Sequence, residues 1–77
     1  MDNSYMVVRA EFYPSGGICP ICFTDIKDGW KTYYISSVTQ HGYDRDFQDF
    51  ICLVDDDKYR LTYRYLNAQW TIEKVDD

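Results

Sequence analysis

Only two glutamates, one histidine, two prolines and four glycines occur in this 77-residue chain, and each shortage excludes something. The glycines form neither a phosphate-cradling loop nor a G-x-S-x-G elbow, which removes the usual signatures of nucleotide binding and serine hydrolysis. The single histidine, His41, stands between Gln40 and Gly42 in a polar stretch, where a solvated loop residue is the ordinary meaning. No apolar run approaches the roughly 20 residues needed to span a bilayer. The start, Met1-Asp2-Asn3-Ser4, has no basic, apolar leader. A soluble, cytoplasmic protein without membrane association is expected. Three cysteines are an odd number and fit poorly with a disulfide framework.

What remains is concentrated in two residue types. Eleven of the thirteen acidic residues are aspartate, and eight tyrosines bring the aromatic content to 18%. Aspartate's short carboxylate competes for nearby backbone N–H groups and so favours caps and turns, while tyrosine packs well on a pleated surface. The mixture disfavours helix twice over. The net charge of −5 repels phosphate backbones and anionic membranes and attracts basic partners.

Strand signals recur along the chain. Tyr5–Tyr13 is strand-like and ends at the breaker Pro14-Ser15-Gly16-Gly17. Ile18–Lys27 follows, with Pro20 demoting its first half to an edge or a knuckle. Asp28-Gly29 suits a tight type I′ hairpin into Trp30–Thr39. Gln40–Gln48 is irregular, and residues 41–50 are expected as a loop or one short helix. Asp49–Val54 is nearly continuously apolar, as a central strand covered on both faces would be. Asp55-Asp56-Asp57-Lys58 turns the chain. Tyr59–Leu66 then alternates, with Tyr59, Leu61, Tyr63 and Tyr65 on one side. Asn67-Ala68-Gln69 connects to Trp70–Val75 and the Asp76-Asp77 tail. The pattern predicts an all-β domain spanning residues 1–77, a small antiparallel meander of five or six strands, barrel-like or open.

Cys19-Pro20-Ile21-Cys22 carries its own chemistry. Two cysteines so spaced can aim both sulfurs at a tetrahedral zinc, and His41 and Cys52 would complete a Cys3His set. Against this, His41 and Cys52 stand alone, and a thiol inside an apolar run is more often an inert core residue. Three reduced cysteines with no cofactor is the plainer expectation. A Cys–His catalyst would need a base that only His41 could supply. Asp44, Asp46 and Asp49 lack the glycine and distal glutamate of a calcium loop.

Tyrosines and arginines on a sheet could stack on single-stranded bases, but without a basic surround there is little counterion-release drive. The same residue types fit a protein interface better, since Tyr, Trp and Arg recur at binding hot spots. The chain is therefore expected to be a non-enzymatic, acidic inhibitor or adaptor that binds a basic, nucleic-acid-handling protein, as a phage- or plasmid-encoded inhibitor would. Asp44, Asp46, Asp55, Asp56 and Asp57 are the expected charge contacts, with Tyr43, Tyr59 and Trp70 as anchors. A small zinc-stabilised module using Cys19, Cys22, His41 and Cys52 is the alternative. An exposed strand edge would also allow a homodimer.

Overall fold

Aspartate sits in three of the six connections, and the runs between the connections become seven antiparallel strands in a computed structural model that describes residues 3–75. Met1, Asp2 and the acidic tail Asp76-Asp77 lie outside the described residues. After a single 3-10 turn at Asn3–Tyr5 come β1 (Met6–Phe12), β2 (Ile18–Asp25), β3 (Lys31–Tyr34), β4 (Ser37–Tyr43), β5 (Phe47–Val54), β6 (Asp57–Arg64) and β7 (Gln69–Val75). They form two meanders, a three-stranded sheet β1-β2-β3 and a four-stranded sheet β4-β5-β6-β7. The expected class holds, but there are seven strands instead of five or six, and the sheets are not closed into a barrel. Among the described residues no helix is long and apolar enough to cross a membrane.

The two sheets bury their facing sides. Phe23 of β2 and Phe50, Cys52 and Leu61 of β5 and β6 are fully enclosed, joined by Ile18, Val54, Tyr59 and Ile72. Each such phenylalanine or leucine contributes about 1.5–3 kcal/mol by leaving water. The sheets cross steeply. Met6 and Val8 share a groove with Gln69 and Trp70 of β7. Farther along β1, Phe12 meets Tyr63 of β6 edge-on at 5.5 Å. The Gly16 carbonyl then reaches Gln48 of β5. β1 and the turn that follows it thus run across three strands of the other sheet, as in orthogonal packing.

Three expectations about individual segments are corrected. Residues 41–50 are neither loop nor helix but the hairpin of β4 and β5, turned at Asp44-Arg45-Asp46. The β5 strand is buried on one face only: Gln48, Phe50, Cys52 and Val54 point inward, and the residues between them are half-exposed. Trp30–Thr39 is not one strand. The Ile35 amide still bonds Ile21 of β2 at 3.0 Å, whereas the next amide, Ser36, bonds Leu53 of β5 at 2.8 Å. At that peptide the chain passes from one sheet to the other.

The turn after β2 forms a hairpin but not the two-residue one. The Asp25 carboxylate accepts from the Lys27 and Asp28 amides at 3.1 and 3.3 Å, which starts the turn early. The left-handed pair is therefore Gly29 (φ 65°) and Trp30 (φ 61°). The tight two-residue turn lies instead at Asp55-Asp56, between paired Val54 and Asp57. Pro20 behaves as expected: β3 pairs with β2 only as far as Cys22, so its missing N–H faces no strand, and the β1–β2 register slips beside it.

Candidate functional site

Four residues in register build the first candidate surface. Tyr43, Gln48, Tyr63 and Trp70 lie opposite one another across β4, β5, β6 and β7, on the inward face near the end of the sheet. From Tyr43 a chain of rings runs through His41 (4.2 Å) and Phe50 (4.3 Å). It continues to Trp70 (5.9 Å) and Tyr63 (5.1 Å), and from Tyr63 to Tyr65 and Phe12. Phe50 is buried and Tyr63 and Trp70 are half-buried, whereas His41 and the outer members are exposed. Tyr43 is 71% exposed, and Phe12, Tyr13 and Tyr65 are also exposed. Leu66, at the tip of the β6–β7 turn, is 99% exposed.

Two turns meet at this end. The Tyr65 amide donates to the Asp46 carbonyl at 3.1 Å, so the Leu66 turn rests against Asp44-Arg45-Asp46. Asp44 takes the Asp46 amide weakly at 3.5 Å. The exposed rings therefore have an acidic rim of Asp44, Asp46 and, beyond Phe12, Glu11. Glu11 accepts from the Tyr13 hydroxyl at 3.3 Å and its charge raises that hydroxyl's pKa.

The remaining expected contacts lie elsewhere. Asp55, Asp56 and Asp57 sit at the opposite end of β5, roughly 25–30 Å away at about 3.3 Å per residue. The five expected aspartates form two clusters, not one patch. Among the described residues, Lys74 approaches Asp57 at 3.7 Å, and no ion pair engages Asp44, Asp46, Asp55 or Asp56. Tyr59, expected as an anchor, has its ring in the core and is 5% exposed. Trp70 is half-buried against Tyr63 and Phe50 and is at most a partial anchor.

The expected zinc ligands are dispersed. The register slip places Cys19 opposite Glu11 and Cys22 opposite Arg9, two positions apart on β1, so both return to the same side of β2. Cys22 lines a small depression on the outer side with Val7, Arg9, Thr24, Thr32 and Tyr34. Cys52 is in the core, where burial, with a smaller contribution from Cys19, pushes its pKa up to about 12 and keeps it a neutral thiol. His41 is stacked between Tyr43 and Phe50 and bonded to Gln48. Among the described residues no three His, Cys, Asp or Glu side chains gather as a metal site.

Leu66, Phe12 and Tyr34 were not singled out from the sequence. Leu66 carried a signal, since an apolar residue beside Asn67 in a turn has no core to enter. Comparison with protein-family models, with curated proteins and with solved structures found no match.

Proposed function

We propose that this chain is a non-enzymatic protein-interaction module, an acidic inhibitor that docks on a basic, nucleic-acid-handling protein of the kind phages and plasmids target. One observation carries the reading: Leu66, Tyr65, Tyr43 and Phe12 stand exposed at one end of the sandwich, beside Asp44 and Asp46. Rigid aromatics contribute contact area at low entropic cost, and an unpaired acidic rim steers a basic surface toward them. Two clusters of carboxylates far apart on one strand also resemble spaced phosphates more than a single acidic patch does. This support is by analogy of charge placement. The zinc-stabilised alternative has no gathered ligand set to support it.

The test is capture from the native host on immobilised protein, followed by mass spectrometry. A basic nucleic-acid-handling protein retained by the natural chain, and lost with Leu66→Ala/Asp44→Asn/Asp46→Asn, is the expected result. Retention of the same proteins by both baits would overturn the reading.

A further inference from the structure

A second feature lies at the other end of β5. Between β3 and the β5–β6 turn is a cleft of about 220 Å³, walled by Tyr33, Tyr34 and Tyr59 and by Asp55, Asp57 and Lys31. The inward-facing Tyr33 and Tyr59 and two carboxylates border one space large enough for about seven waters, at roughly 30 Å³ each.

The Tyr59 ring is enclosed, edge-on to Phe23 at 5.2 Å, yet its hydroxyl reaches this cleft. The ring is buried but the hydroxyl oxygen is open to the cleft: among the described residues nothing hydrogen-bonds it, and no buried side-chain oxygen is left without a partner. Burial first, then the Asp57 carboxylate, raises its pKa, with Lys31 opposing, so the group is a neutral phenol. Asp55 is held at the turn tip with φ 54°. Asp57 has only the long contact to Lys74, with both side chains half-exposed. The Lys31 ammonium already lies 5.0 Å from the centre of the Tyr33 ring, so the wall accepts a cation. Tyr34, paired with Cys22, turns its side chain to the other face of β3, toward Cys22 and Thr32.

The geometry points to this cleft as the seat of an arginine side chain from a partner protein. The guanidinium sits between the Asp55 and Asp57 carboxylates and donates to the Tyr59 oxygen. Three acceptors suit a planar group with five N–H donors better than an ammonium. The inference rests on the proposed binding of a basic protein and adds a contact remote from Leu66.

The probe is a blocked Gly-Arg-Gly tripeptide titrated into isotope-labelled protein and followed by NMR, with citrulline and lysine versions alongside. Saturable shifts are expected at Tyr33, Tyr34 and Asp55–Tyr59. The arginine peptide should bind at least tenfold more tightly than the uncharged citrulline peptide, and about threefold more tightly than the lysine one. Tyr59→Phe keeps the ring and should weaken binding several-fold; Asp55→Asn/Asp57→Asn should abolish it, with the remaining spectrum unchanged. Equal binding of citrulline, shifts confined to Tyr43, Tyr65 and Leu66, or unaltered binding in the Asn variant would overturn the inference. Because the peptide is the probe, a failed capture from the host would sink the wider proposal alone.

Discussion

His41 donates its Nε2 proton to the Gln48 side-chain oxygen at 2.8 Å, and a residue far along the chain fixes that direction. The Gln48 amide nitrogen donates to the Gly16 carbonyl at 3.2 Å. A carbonyl can only accept, so Gln48 must turn its NH2 toward Gly16 and its oxygen toward His41, and His41 must carry hydrogen on Nε2. The β1–β2 turn is thereby tied to the floor of the aromatic end, and His41 is held flat between Tyr43 and Phe50.

Gln48 is 3% exposed, while its partners His41 and Gly16 are exposed residues that can bond water instead. Gln48→Leu should destabilise the fold by about 0.5–1.5 kcal/mol in urea unfolding. An unchanged midpoint would show that the bridge between the sheets contributes nothing.

Two leucines five positions apart should behave oppositely. Leu61 is fully buried between the sheets, and Leu61→Ala should cost about 2–5 kcal/mol. Leu66→Ala, at a side chain open to solvent, should stay within about 0.5 kcal/mol of the natural chain. Denaturant unfolding of both variants checks this. A large loss from Leu66→Ala would mean that Leu66 is a structural residue and not a docking one.

Much of this architecture is legible in the sequence. The Pro14–Gly17 breaker, the unpaired β3 side at Pro20 and the alternation of Tyr59, Leu61 and Tyr63 follow from local chemistry and appear where the sequence puts them, although β6 ends at Arg64 and leaves Tyr65 in the turn. What was not legible depends on distant partners. Gln48 looked like a loop residue because its acceptor, Gly16, lies 32 positions away. The passage between sheets at Ile35-Ser36 has no glycine or proline to announce it. At Asp28-Gly29 the sequence predicts a hairpin and one forms, but not as a two-residue turn. Residues 26–30 make the loop between paired Asp25 and Lys31, with the Asp25 carboxylate binding the Lys27 and Asp28 amides. At the candidate site, the acidic turns were legible as turns, but their separation along β5 required the strand boundaries, and burial of Tyr59 required knowing which face was inside.

Alkaline pH should weaken the fold through Cys52. Its pKa is about 12 in the folded chain against an ordinary 9.0, so its stabilising contribution is complete below pH 9 and is lost as pH rises toward 12. The raised pKa of Tyr59 acts in the same direction above pH 10. Unfolding free energy should fall by up to about 1.4 kcal/mol per pH unit from Cys52 in this window. Urea unfolding at pH 8 to 11 measures it, and Cys52→Ala should flatten the slope. A profile with no decline above pH 9 would contradict the neutral buried thiol.

Chelators supply a further check. With Cys52 in the core and His41 committed to Gln48, the melting temperature should not change when a strong zinc chelator is added. Chelator-induced unfolding, together with one zinc per chain by native mass spectrometry, would establish the Cys3His alternative instead.

The most direct test of the proposed docking is the salt dependence of affinity for the captured basic partner, for the natural chain and for Asp44→Asn/Asp46→Asn. The natural complex should weaken about tenfold or more between low and moderate ionic strength, since exposed charges are screened beyond roughly 10 Å at 0.1 M salt. The variant should start weaker and respond less. Affinity that ignores salt, or identical curves for the two chains, would contradict an acidic docking surface.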